Sequence, residues 1–216
     1  MRNRFDLQLK QLNDDVIEMG NMIERAIEMA VYALVAQDKE KAKQAIAFDM
    51  DIDHMERDIE ALCMKLLLQQ QPVARDLRQI SSALKLITDM ERIGDQAADI
   101  AELSLQLGDV SYVDNLDLIQ KMANETMSMV VRGTEAFVTK DMDLAHEVIN
   151  NDDVVDDLFD QVKNYLIKLI QDNHEKSFQA ADLLMVAKYF ERIGDHATNI
   201  AEWVIYSITG KHEDEE

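Results

Sequence analysis

One twelve-residue phrase occurs twice in this chain: residues 91–102 read ERIGDQAADIAE and residues 191–202 read ERIGDHATNIAE, identical at nine positions. A second register extends the repeat. Shifted by 103 residues, Asp49 falls on Asp152, Ile52 on Val155, Asp53 on Asp156, Met55 on Leu158 and Ile59 on Val162, and the break at Gln37-Asp38 falls on Lys140-Asp141. Such a chain folds as two copies of one supersecondary unit. The expected halves are 1–108 and 109–216, interlocked as one compact domain.

The unit is helical. One proline, six glycines and six per cent aromatic residues leave little to build strands or hairpins, whereas Ala, Leu, Ile, Met, Glu, Lys and Gln dominate. Apolar spacings of three and four persist almost throughout. They predict helices over about Asp6–Gln37, Lys39–Gln69 and Val73–Leu107, then Tyr112–Thr139, Met142–Gln171 and Glu175–Thr209. Val16, Met19, Ile23, Ile27, Ala30 and Leu34 form the seam of the first helix; Ile52, Met55, Ile59, Leu62 and Leu66 form that of the second. Pro72 closes the second helix, because the residue before a proline resists helical angles. Gly108 and Gly210 are the expected terminators of the third and sixth helices, and Asp38 and Asp141 the N-caps of the middle ones. The acidic tail, 211–216, is expected to be disordered. Short connections make neighbouring helices antiparallel, so the fold class is all-α, with two tandem three-helix bundle repeats.

A formal charge of −21 repels phosphate backbones and anionic lipid, so nucleic acid is excluded as a partner and contact with a membrane is expected only through protein partners. Cations and basic protein surfaces are favoured instead. Without an apolar run of the roughly 20 residues that span a bilayer, and with a charged start, the expected location is the cytoplasm. The single cysteine, Cys63, aligns with Leu166 and reads as a small core residue.

Each copy of the phrase carries two acids one helical turn apart, Glu91/Asp95 and Glu191/Asp195, and the preceding helix of each half carries Asp49/Asp53 or Asp152/Asp156. In an antiparallel hairpin, residues at equal height have numbers whose mean falls at the turn. The mean of 49 and 95, and of 53 and 91, is 72, at Pro72; the mean of 152 and 195, and of 156 and 191, is 173.5, inside Asp172-Asn173-His174. Two sets of four carboxylates at one height would repel one another without a cation. Divalent or trivalent ions bound through oxygen (iron, zinc, manganese, magnesium or calcium) are the natural compensation. At 100° per residue, Asp49 and Asp53 point roughly 100–140° from the Ile52–Leu66 seam, which predicts a shallow surface groove. The plainer reading is a solvated acidic face, with Arg92 and Arg192 forming ordinary salt bridges.

Asp99 extends the first ladder, and its counterpart Asn199 is an uncharged oxygen donor, so the two sites should differ in affinity. Glu102 and Glu202 recur beyond them, and His196 replaces Gln96. Gly94 and Gly194, inside helices at equivalent places, point to close approach by another helix, to access for a ligand, or to tolerated helix glycines. The Glu-x-x-His pairs of a di-iron bundle are absent, as are nucleophile motifs, phosphate-cradling glycine loops and zinc-type cysteine clusters. The expectation is a protein that is not an enzyme.

The duplicated E-R-I-G-D-x-A-x-[DN]-I-A-E phrase, each copy preceded by an acidic D-x-x-x-D helix within a three-helix repeat, closely resembles the PhoU family of bacterial phosphate-uptake regulators. The resemblance implies a cytoplasmic negative regulator of the phosphate regulon, working beside a phosphate ABC transporter and its membrane-bound sensor histidine kinase. It also implies metal clusters on the acid motifs, here Asp49/Asp53, Glu91/Asp95, Asp152/Asp156 and Glu191/Asp195. A homodimer is compatible with this reading. A carboxylate metal-storage or buffering protein unrelated to signalling is the alternative.

Overall fold

The computed structural model describes residues 2–70, 73–107 and 116–211, and all regular structure among them is helical. The first half contains α1 (Arg2–Ala36), α2 (Lys39–Gln70) and α3 (Ala74–Gln106); the second contains α4 (Asp117–Thr139), α5 (Met142–Asp172) and α6 (Ser177–Thr209). The all-α repeat architecture is therefore as expected. Pro72, Gly108, the expected start of the fourth helix at Tyr112, the boundary between the halves and tail residues 212–216 lie outside the described residues.

Two boundaries differ for identifiable reasons. The first helix starts at Arg2 rather than Asp6, because Phe5 is buried and continues the apolar stripe about two turns upstream of Leu12. The last starts at Ser177 rather than Glu175. Asn173 accepts a hydrogen bond from the Glu175 amide at 3.0 Å and closes a separate 3-10 turn, His174–Lys176, where the first half is already α-helical.

Elsewhere the repeat reaches down to backbone angles. Gln37 and Lys140 both adopt the left-handed conformation, with φ of 55° and 58°, ending α1 and α4 at equivalent positions. The next residue caps the following helix. Asp38 accepts from the Glu40 and Lys41 amides at 3.0 Å, and Asp141 from the Leu144 amide at 3.0 Å. Gly210, with φ of 75°, terminates α6 through its amide bond to the Tyr206 carbonyl.

The predicted stripe of α1 is buried throughout, and on α2 Ile52, Ile59, Cys63 and Leu66 are fully buried while Met55 and Leu62 are partly covered. Each fully buried large aliphatic side chain contributes roughly 1.5–3 kcal/mol. Cys63 is a free, buried thiol whose pKa burial, and secondarily the Glu60 charge, pushes up to about 12, so it is packing rather than a nucleophile. Across the halves α3 packs on α6 and α1 on α4, whereas α2 touches only α1 and α3, and α5 packs only within its own half. The result is four layers: α2, then α1 with α3, then α4 with α6, then α5. The α2/α3 and α5/α6 grooves therefore sit on opposite flanks. No described helix is long and apolar enough to cross a membrane.

Candidate metal centre

The two recurrent glycines lie where α2 and α5 pack closely on the repeated phrase of the next helix. A Cβ on Gly94 would stand 3.1 Å from Ile52 Cδ1 and 3.2 Å from Asp49 Oδ1; on Gly194 it would stand 3.3 Å from Val155 Cγ1 and 3.4 Å from Asp152 Oδ1. Close helix approach is thus the reason for glycine, which otherwise costs a helix interior about 1 kcal/mol relative to alanine. The approach also presses Asp49 and Asp152 against the neighbouring helix, half-buried.

The acids meet in the pairs that the hairpin geometry predicts. Burial raises the Asp49 carboxyl to about 6, with added repulsion from Asp95, Asp53 and Asp99. Burial likewise raises Asp152 to about 6, helped by Asp156 and Asp195. Glu91 is raised by burial and then by Asp95, with Glu56 and Asp53 adding; Asp156 and Asp195 are each raised by burial and then by Glu191. Desolvation and like charge both favour the protonated acid, so each groove stores repulsion that a cation would relieve.

Side-chain cations already take part of that role. Arg92 reaches Asp95 at 3.1 Å and Glu91 at 3.5 Å, and Arg57 reaches Asp53 at 3.0 Å. Arg192, expected to act like Arg92, instead lies over the Tyr189 ring, 5.9 Å from its centroid. Lys188 pairs with Glu191 in its place. Among the described residues, no three His, Cys, Asp or Glu side chains converge as they stand on a point that could hold a metal ion. The residues nonetheless fit a hard cation. Asp49 Oδ1 is buried without a hydrogen-bond partner, and the donors lining both grooves are carboxylate oxygens.

Sequence reasoning overlooked Glu56, one turn beyond Asp53, whose pKa is raised by burial and then by Glu60, with Asp53 contributing. Its i, i+3 spacing from Asp53 was the available signal. The repeat position holds Phe159 in the second half, and Lys163 and Lys188 stand over that ring at 5.5 Å. The first groove therefore carries an extra acid where the second carries an aromatic ring under two cations.

Asp99 and Asn199 face the seam between halves. Asn199 Nδ2 donates to Asp89 Oδ1 at 3.0 Å, and His196 Nδ1 meets the same oxygen at 2.9 Å. At the equivalent place the Tyr189 phenol hydrogen-bonds Asp99, whose pKa is nevertheless raised by burial, Glu102 and Asp95. Asn199 and His196 thus hold α6 to α3. Asp99 touches both the seam and the groove, and Glu202 is exposed.

The family model for the PhoU domain matches residues 16–104 and again residues 119–204. The chain belongs to the PhoU family. It is 39 % identical over 214 residues to a Clostridium acetobutylicum protein named phosphate-specific transport system accessory protein PhoU homolog, covering 99 % of this chain and 98 % of that protein. A Pseudomonas aeruginosa protein of the same name is 32 % identical across 96 % of this chain and 86 % of its own length. The crystal structure of PhoU from Pseudomonas aeruginosa superposes with a TM-score of 0.91 at 32 % identity, covering 96 % of this chain and all of that one. The phosphate transport system regulatory protein PhoU from Streptococcus pneumoniae gives 0.90 at 28 % identity, over 97 % of this chain and 99 % of that one.

Proposed function

We propose that this protein is a cytoplasmic negative regulator of phosphate uptake and phosphate-regulon signalling. It acts by contact with the cytoplasmic parts of a phosphate ABC transporter and its sensor histidine kinase. The observation that carries this reading is the end-to-end match, both repeats included, to proteins named as phosphate-specific transport accessory proteins. The strongly acidic surface supports it, since such a surface steers basic partner faces and raises association rates.

In this reading the grooves are metal sites that set the charge of the contacting flanks. Asp49, Asp53, Glu91 and Asp95, with Glu56 and Asp99 at the margin, would hold an ion in the first half; Asp152, Asp156, Glu191 and Asp195 would hold one in the second. A bound cation supplies charge neutralisation and a bridge between carboxylates. The chain's own part is to present the oxygens and to move Arg92, Arg57 and Lys188 off them. Asn199 contributes by keeping α6 in register.

The test is capture of the full-length protein by the cytoplasmic domains of the transporter and of the kinase, at low and high salt, with and without chelator. Capture that weakens as salt rises and changes on chelation is expected, because screening shortens the field to about 8 Å at physiological ionic strength. Binding to neither partner under any condition would overturn the proposal in favour of metal storage.

A further inference from the structure

Three cationic side chains of this acidic chain gather around one cavity. Arg75, Arg78, Gln79, Lys140, Ser207 and Ile208 line a space of about 330 Å³ where the start of α3, the α4–α5 turn and the end of α6 meet. No acidic side chain among the described residues lines it. Among the described residues no carboxylate forms an ion pair with Arg75, Arg78 or Lys140. The Arg78 Nε is buried with no hydrogen-bond partner, its stem covered by the Gly210 backbone, where a Cβ would lie 3.3 Å from Arg78 Cδ. A buried guanidinium Nε–H left unpaired is unusual, and the charged side chains that share the cavity, Arg75 and Lys140, can only donate.

The cluster is built rather than incidental. Gln79 is itself buried; its Nε2 donates to Asn13 Oδ1 at 3.2 Å and its Oε1 accepts from Lys140 Nζ at 2.9 Å, which holds the lysine at the cavity. The Lys140 ammonium is disfavoured by burial and then by the Arg75 charge, with Asp76 opposing, so the site stores like-charge repulsion that an anion would relieve. The repeat supplies an internal comparison. Positions equivalent to Arg75, Arg78 and Lys140 hold Glu175, Phe178 and Gln37, so the cationic site is a local break in the internal symmetry and not a property of the repeated scaffold.

The net charge of the chain does not forbid an anion here. Glu91, the nearest groove acid on the same helix, is thirteen residues beyond Arg78, about 20 Å at 1.5 Å per residue. That distance exceeds two screening lengths of about 8 Å each at physiological ionic strength.

We propose that the cavity between Arg75, Arg78 and Lys140 binds a phosphate-class oxyanion, either the free inorganic ion or the phosphoryl group of a small phosphorylated molecule. Paired guanidinium forks with a lysine point charge match phosphoryl oxygens in geometry and charge, and the volume accommodates more than a bare ion. This site is remote from the acidic grooves, so it stands or falls separately from the contact role.

Calorimetric titration of the full-length, chelator-treated protein at constant ionic strength, with inorganic phosphate, pyrophosphate and ADP as three arms, tests it. Saturable binding of at least one is expected, and the tightest arm identifies the source. Arg78→Gln and Lys140→Gln should each weaken that binding at least tenfold, whereas Glu175→Gln at the equivalent place should not change it. Lys140→Gln is safe for the fold, because glutamine already occupies the same left-handed conformation at position 37. On titration the Arg78 Nε–H resonance should shift in wild type. No saturable binding in any arm up to millimolar concentration, or wild-type affinity in both Arg78→Gln and Lys140→Gln, overturns the assignment.

Discussion

Asp49 Oδ1 lies 3.2 Å from the place where a Cβ on Gly94 would stand, so the close packing of the first acidic groove depends on that position carrying no side chain. The corresponding distance from Gly194 to Asp152 Oδ1 is 3.4 Å, ordinary contact, and this small inequality separates the two halves in a measurable way.

Alanine at Gly94 gains about 1 kcal/mol of helix propensity but must displace Ile52 and Asp49, at a cost of roughly 1–3 kcal/mol for an overpacked contact. Gly94→Ala should destabilise the protein by about 1 kcal/mol, while Gly194→Ala, where the tightest contact is Val155 Cγ1 at 3.3 Å, should be closer to neutral, as propensity offsets a milder clash. Urea denaturation of both variants, followed by circular dichroism, decides the order.

Stability of the metal-free protein should fall as pH rises from about 4 to about 6.5. Asp49 and Asp152 titrate at 3.8 when unfolded and at about 6 when folded, so the folded state holds the extra protons. Their contribution is complete below pH 3.8 and is lost as pH climbs through the folded value. Asp49→Asn, which mimics the protonated acid, should flatten this slope and stabilise by about 1 kcal/mol at neutral pH, discounted for partial exposure. Thermal melts across that pH range in chelator supply the measurement.

Metal should load the first half before the second, since Glu56 adds a carboxylate there while Lys188 and Lys163 stand at the second. Asp53→Asn with Glu91→Gln should remove the tighter equivalent in a titration monitored by elemental analysis and leave the weaker one. An unchanged metal content in that double variant would mean that the carboxylates are a solvated face only.

At the seam, Asn199→Asp would set a second carboxylate beside Asp89, where the amide now donates at 3.0 Å. Loss of a part-buried hydrogen bond plus the new repulsion predicts about 2 kcal/mol of destabilisation. Tyr189→Phe should cost about 1 kcal/mol. It should also raise the Asp99 carboxyl further, observable by carbon-13 titration.

Architecture was legible because long apolar stripes such as Val16 to Leu34 leave a helix no other buried face, and because Asp38 and Asp141 cap by local geometry. The pairing of Asp49 with Asp95 and of Asp156 with Glu191 followed from hairpin arithmetic alone. Details that depend on side-chain torsions were not readable. Arg192 and Arg92 occupy equal places in the repeat, yet one stacks on Tyr189 while the other holds Asp95, because position 189 offers a ring and position 89, an aspartate, does not. Glu56 escaped notice because equal-height matching ignores an acid one turn away. The cationic cavity joins residues from three distant stretches, and only packing brings them together.

The seam contacts make the two halves of the repeat unequal partners. Asp89 is met by Asn199 and His196, and Asp99 by Tyr189, so each half offers what the other needs. Two first halves joined in the same way would oppose Asp89 with Asp99, carboxylate against carboxylate, and two second halves would face Tyr189 with Asn199 and lose all three bonds to a carboxylate. The duplicated sequence has thereby become a pair of complementary parts that prefer each other to themselves. A half exchanged for a second copy of the other would lose these seam contacts, so the two halves are not interchangeable despite the repeat.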